Sequence, residues 1–156
     1  MEKQFEQNNW NMVSEVELIY KSRVKASQRP QLKRIDTVSE FLRQNWDENK
    51  MELVEQFKVL FMSRTNRVLA LFDMSTGGVS GTVADPKIIF MAALKLNAHH
   101  LVIAHNHPSG NSEPSSNDIA LTKKIRVAAE LLDMYLLDHI ILTAEGYYSF
   151  ANEGLL

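Results

Sequence analysis

Two periods of apolar residue run through this chain, and the changes between them mark its elements. In "EVELIYKSRVK" (15–25), Val16, Leu18, Tyr20 and Val24 alternate with polar residues closely enough to predict a half-buried strand. "ASQRPQLKR" reads as a connector, after which Asp36 or Thr37 caps a helix running to about Trp46. "QFKVLFMS" (56–63) and "RVLALFDM" (67–74) are rich in strand formers and joined by "RTN", which predicts a hairpin. Gly77, Gly78 and Gly81 then interrupt the pattern, as a turn or a bulged short strand does. "DPKIIFMAALKLN" (85–97) predicts a helix with Asp85 as N-cap, Pro86 in the first turn and Asn97 as its stop.

"HLVIAH" (100–105) predicts a buried central strand. Ser115 then opens a long helix whose Leu121, Ile125, Ala128 and Leu132 form one apolar stripe. "YLLDHIILT" (135–143) predicts a further buried strand, and "GYYSF" (146–150) a last short one. Helices alternating with strands, plus one hairpin, predict a three-layer α/β domain with a mixed central sheet flanked by helices.

Composition narrows the chemistry. The 156 residues are 45% hydrophobic and 23% charged, a globular balance in a chain long enough for one real core. A net charge of -2 argues against a protein that binds nucleic acid through its overall field. There is no cysteine, so disulfides, thiolate metal sites and a cysteine nucleophile are excluded, and any metal falls to His, Asp or Glu. No apolar run approaches the ~20 residues of a membrane span, and "MEKQFEQNNW" lacks the apolar core of a secretory signal, so a cytoplasmic protein is expected.

"LVIAHNHPSGNSEPSSND" (101–118) carries the candidate chemistry. If the strand continues to residue 107, His105 and His107 project from the same face of its polar end. Asp118, in the first turn of the next helix, is brought back toward that end by the loop. Two nitrogens and one carboxylate oxygen suit zinc and leave a fourth position for water. The same residues admit a second reading, in which Ser115 and Asp118 only cap a helix and the histidines are strand-end polar residues. Spacing leaves both readings open.

The string His105-Asn106-His107-Pro108 followed by Ser115-x-x-Asp118 resembles the signature of the JAMM (MPN-type) metalloproteases. "AHNHPSG", "PSSNDIALTKKI", "LLDHIIL" and "GYYSF" resemble the RadC family of JAMM-related bacterial proteins, over most of residues 50–156. That resemblance implies a three-layer, cytidine-deaminase-like JAMM domain over 35–156, preceded by a tail and strand extension over 1–34. It implies one zinc ion held by His105, His107 and Asp118, with Ser115 beside the developing oxyanion and a glutamate as general base. Glu52 and Glu55 compete for that role. RadC-like chains carry a glutamate two residues before a phenylalanine at the opening of the corresponding strand, which matches Glu55-Gln56-Phe57 and favours Glu55. Asn106 stands where JAMM proteases usually have serine or threonine, and RadC-like chains share it.

The implied function is a zinc-dependent metallohydrolase (a protease or isopeptidase) acting on a protein or peptide substrate. The alternative is a DNA-repair-associated accessory module with a structural or vestigial metal site, and a third option is a metal-free interaction domain. The helical DNA-binding-type region that precedes this domain in RadC-like proteins is expected to be absent. Lys21, Arg23, Lys25, Arg29, Lys33 and Arg34, with no acidic residue among them before Asp36, suit either phosphate contact or a solvated strand edge. Self-association is open, and no membrane partner is expected. Asp138 and His139 are a polar pair in an apolar strand; they suit a supporting role behind a zinc histidine or a satisfied core hydrogen bond. His99 and His100 read as boundary residues, and no phosphate-loop spacing surrounds Gly77 and Gly78.

Overall fold

A computed structural model describes residues 17, 19–77 and 84–156. Its centre is a five-stranded sheet of β1 (Gln56–Met62), β2 (Val68–Thr76), β3 (His100–Asn106), β4 (Tyr135–Leu142) and β5 (Tyr147–Ser149), in the order β2-β1-β3-β4-β5. β1 pairs antiparallel with both β2 and β3, β3 and β4 are parallel, and β5 returns antiparallel on β4, so the sheet is mixed. The expected hairpin is present, with Asn66 at a φ of 58° in its turn.

Strand alternation sorts the core into two layers. On one face, Phe57, Val59 and Phe61 of β1 and Leu101 and Ile103 of β3 pack against α3 (Pro86–Lys95) and α4 (Ser116–Leu131) through Ile89, Phe90, Ala93, Ile125 and Ala129. On the other, Leu60, Met62, Val102, Ala104, Ile140 and Leu142 meet Val38 and Leu42 of α1 (Ile35–Gln44), with Trp46 and Met51. Met51 ends the one-turn α2 (Glu48–Met51). The result is the expected three-layer arrangement.

A one-residue irregularity in β4 interrupts the alternation. Leu101 pairs with Leu136 but Val102 pairs with Asp138, so Leu137 is an extra residue in the strand. Such a bulge shifts every later side chain by one position. Leu136 faces α3 and α4, whereas Ile140 and Leu142 face α1.

Several sequence expectations need adjusting. Among residues 17 and 19–25 there is no strand; the rest of that expected element, residues 15, 16 and 18, lies outside the described residues. The cause is local. Ser22 Oγ donates to the Val24 carbonyl at 2.8 Å and Arg29 Nε donates to the same carbonyl at 3.2 Å, so these groups are used without a partner strand. α1 starts at Ile35, one residue before Asp36, because Arg34 takes the N-cap position and Thr37 Oγ1 accepts from Arg34 N–H at 3.4 Å. Of the apolar stripe on α4, Ile125 is buried while Leu132, past the helix end, is 40% exposed. Gly77 N–H donates to the Glu55 carbonyl at 2.8 Å and so extends the β1–β2 ladder; Gly78 and Gly81 lie outside the described residues. Asn97 ends α3 as expected, at a φ of 51°.

No helix among the described residues is long and apolar enough to cross a membrane.

Candidate metal centre

β3 ends at Asn106, and His107 stays in line because its N–H donates to the Leu142 carbonyl of β4 at 2.9 Å. The two-residue period therefore persists through His107, and both imidazoles project from the α3–α4 face. Their Nε2 atoms lie 2.9 Å apart. Asp118 reaches the same point from the first turn of α4, with Oδ1 3.3 Å from His105 Nε2 and Oδ2 3.8 Å from His107 Nε2. One donor atom from each of the three residues can be chosen so that all lie within 4.8 Å of one another.

The donor set fits a metal ion. Zinc–nitrogen and zinc–oxygen bonds of ~2.0–2.2 Å place tetrahedral ligand atoms roughly 3.3–3.5 Å apart, and the three distances here bracket that edge. His107 Nδ1 lies 2.6 Å from the Asn111 carbonyl, which can only accept, so its hydrogen is on Nδ1 and the Nε2 lone pair is free. Burial is graded: the side chain of His105 is 1% exposed, while those of Asp118 and His107 are 15% and 17% exposed. The rigid strand holds His105 and the loop side stays open to solvent.

Asp118 caps the helix and also borders the candidate site. Its Oδ2 accepts from Ser115 N–H at 2.7 Å and from Ser115 Oγ at 2.6 Å, while its own N–H donates back to Ser115 Oγ at 3.1 Å. This reciprocal cap leaves Oδ1 nearest His105. The two readings of the sequence, cap and ligand, are thus compatible in one carboxylate.

Glu55 immediately precedes β1. Phe57 pairs with His105 across the antiparallel β1–β3 ladder, and continuing that register brings Glu55 opposite His107. Glu52 follows α2 as its C-cap and borders a groove with Pro108, Ser109, Gly110 and Glu145 beside the histidine loop.

The bulge at Leu137 decides which way Asp138 and His139 face. His139 is turned to the metal-site face, where its Nε2 lies 2.9 Å from His105 Nδ1. Asp138 is turned to the opposite face. There it accepts from Ser149 Oγ at 2.5 Å, Ala151 N–H at 3.0 Å and His139 N–H at 2.7 Å, anchoring the turn after β5.

The contacts of two residues escaped sequence reasoning. Asn106, fully buried between the two histidines, donates its amide to the carbonyls of Met51 (2.7 Å) and Val54 (2.9 Å) and accepts from Gln56 N–H at 2.7 Å. It thereby clamps the backbone on both sides of Glu55. Thr122, nearly two turns into α4 and one turn past Asp118, lies 2.6 Å from His139 Nδ1. The Asn106 contacts span fifty or more positions, and no local pattern signals them.

Burial depresses the pKa of His105 from its ordinary 6.5 to about 4, with Asp118 raising it and His107 lowering it further. Burial likewise holds His139 well below 6.5, aided by His105 and His107. Burial raises Asp138 above the usual carboxylate value against the opposing pull of its hydrogen bonds to Ser149, Ala151 and His139. In the metal-free protein the unfolded chain therefore takes up imidazole protons below pH 6.5 that the fold refuses, and stability falls with pH. Asp138, which holds its proton more tightly when folded, works in the opposite sense. The expected result is a melting temperature that declines as pH drops from about 6.5 toward 4, with His105 contributing on the order of 3 kcal/mol across that window. Melting scans of chelator-stripped protein at fixed ionic strength check it; a flat profile would contradict it.

The basic stretch lies apart from this centre. Lys21, Arg23, Lys25 and Lys33 are exposed, Arg29 donates to Ser22 Oγ at 2.6 Å, and Arg34 pairs with Asp36 at 2.7 Å. His100 lies 2.5 Å from Asn66 at the far end of β3, consistent with a boundary residue.

A three-layer α/β domain with a His-x-His strand end and an aspartate in the next helix defines the class. Residues 32–155 match the family model described as RadC-like JAB domain, and the chain belongs to that family. It is similar to a UPF0758 protein of Flavobacterium johnsoniae, 45% identical over 101 residues (65% of this chain, 44% of that protein). A UPF0758 protein of Aquifex aeolicus is 39% identical over 117 residues (75% and 49%), and one of Pasteurella multocida 44% identical over 102 (65% and 46%). The chain thus spans about half the length of the curated relatives it matches.

Proposed function

We propose that this chain is a zinc-dependent hydrolase of peptide or isopeptide bonds. The observation that carries the reading is the meeting of His105 Nε2, His107 Nε2 and Asp118 at distances suited to one tetrahedral ion. A zinc ion held there would supply Lewis acidity, lowering the pKa of water and polarising a carbonyl.

The remaining chemistry belongs to the chain. Glu55, by its register opposite His107, is the candidate to take a proton from the attacking water and return it to the leaving nitrogen as the C–N bond breaks. Ser115 supplies a hydroxyl at the mouth of the site. Its hydrogen is given to Asp118 Oδ2, and turning it toward a substrate oxyanion leaves Asp118 still held by Ser115 N–H at 2.7 Å. The open loop side, with His107 and Asp118 partly exposed, is where a substrate chain can enter. Family membership supports the reading, and the protein or peptide substrate remains a proposal.

Metal analysis of protein purified without added zinc or chelator is expected to give about one equivalent of zinc, and zinc added to stripped protein to raise its melting temperature. Glu55→Gln should retain the zinc and lose roughly 10²-fold or more in hydrolysis of a cleavable peptide or isopeptide. Zinc well below one equivalent with no thermal shift would sink the metal site. Unchanged hydrolysis in Glu55→Gln would remove Glu55 as the base.

A further inference from the structure

Behind His105 a line of hydrogen bonds runs from the centre into α4. His105 Nδ1 meets His139 Nε2 at 2.9 Å, His139 Nδ1 meets Thr122 Oγ1 at 2.6 Å, and Thr122 Oγ1 meets the Asp118 carbonyl at 2.6 Å. All three side chains are sealed off, with Thr122 and His105 1% exposed and His139 fully buried. Phe57 stacks on His105 at 6.0 Å and Phe150 on His139 at 4.5 Å, so the rings cannot turn away from this line.

The direction of the line follows from its last member. A carbonyl oxygen has no hydrogen to give, so the Thr122 hydroxyl must spend its single hydrogen on Asp118. Thr122 Oγ1 then has only lone pairs for His139, which makes His139 Nδ1 the donor. A neutral imidazole with its hydrogen on Nδ1 has a bare Nε2, so His139 accepts the hydrogen of His105 Nδ1. His105 in turn is left with a lone pair on Nε2. The reverse order would put a hydrogen on His105 Nε2, pointing into the site where a metal must bind.

We propose that Thr122 and His139 are positioning residues that fix His105 in the Nδ1–H form and keep its Nε2 lone pair available to a metal. Ligating histidines commonly pass their second hydrogen to a carboxylate or carbonyl. Here the acceptor is a second imidazole, whose own orientation is set by a helix hydroxyl. The helix that brings Asp118 to the ion thus also sets the polarity of His105, since the line ends on the Asp118 backbone. With His107 fixed in the same form by Asn111, two lone pairs face each other across 2.9 Å, a repulsive pairing that a cation reverses.

This inference rests on the metal-site reading above, and the experiment separates the two. Proton–nitrogen correlation spectra of the metal-free, nitrogen-15-labelled full chain at neutral pH report which ring nitrogen of His105 carries hydrogen. The expected answer is Nδ1. Thr122→Val removes the hydroxyl, frees His139 to donate toward His105, and is expected to show hydrogen on His105 Nε2 together with a 10- to 100-fold loss of zinc affinity. Thr122→Ser restores the hydroxyl and is expected to return both readouts to within about threefold of the parent, which a merely structural role would not require. His139→Phe keeps the stacking but removes the acceptor, and should lose affinity to a similar degree. A hydrogen on Nε2 in the parent protein, or a folded Thr122→Val chain with unchanged zinc affinity, overturns the proposal. If Thr122→Val does not fold, the parent spectrum and His139→Phe decide it. A parent chain that takes up no zinc sinks the metal-site reading and the positioning role with it, whereas a parent that binds zinc but carries hydrogen on His105 Nε2 when metal-free sinks the positioning role alone.

Discussion

Asp118→Asn is expected to lose roughly 10²–10³-fold in zinc affinity while the metal-free protein melts close to the parent. That range is one ligand's share of the ~10–16 kcal/mol that a four-ligand zinc site yields. The asparagine oxygen can still accept from Ser115 N–H, the 2.7 Å bond that closes the first turn of α4, but it brings no charge to the metal. Asp118→Ala removes both functions and should add about 1 kcal/mol of lost stability in the metal-free state. Competition with a chromophoric chelator and melting of stripped protein measure the two separately. Hydrolysis should vanish with the zinc in both variants. If Asp118→Asn holds zinc within threefold of the parent, Asp118 is a helix cap and nothing more.

The second large effect is expected at Asn106. Its side chain joins three backbone groups, the buried carbonyl of Met51, the buried N–H of Gln56 and the part-buried carbonyl of Val54. Asn106→Ala leaves all three without that partner. At ~1–3 kcal/mol for each buried polar group so abandoned, a total loss of about 3 kcal/mol or more is expected from chemical denaturation. Asn106→Asp should be no milder, since a carboxylate can accept from Gln56 but sets its charge against two carbonyl oxygens. Because the clamped segment contains Glu55, either variant that still folds should lose hydrolysis more steeply than zinc affinity. A stability loss below ~1 kcal/mol would show that water or a neighbour replaces the amide.

These expectations differ in how far they could be drawn from the residue order. Asp118 was legible: the Pro- and Ser-rich run before an apolar stripe marks a helix start, and that start sits a loop's length from two histidines on a strand. The strand expected at 15–25 was the opposite case. Alternation there is real, but a strand needs a neighbour to accept its ladder, and residues 19–25 have none among the described residues. Between Glu55 and Glu52 only resemblance favours Glu55 in the residue order. Continuing the β1–β3 register past Phe57 and His105, a long-range fact, sets Glu55 opposite His107.

What the residue order determined by itself is whatever depends on local geometry. The two-residue period of a strand puts His105 and His107 on one face, the capping chemistry of Ser115 and Asp118 starts α4 where it does, and the absence of cysteine leaves His, Asp and Glu as the side chains that could hold a metal. Tertiary structure decided which of Asp138 and His139 meets His105. Counted from Leu136, plain alternation would turn Asp138 toward α4 and hide His139 on the far side. The extra residue Leu137 reverses that and sends the imidazole to His105 and Thr122. A bulge arises from how two strands whose paired residues lie more than thirty positions apart match their ladders, so the facing of every side chain beyond it is a property of the pairing and not of either strand alone.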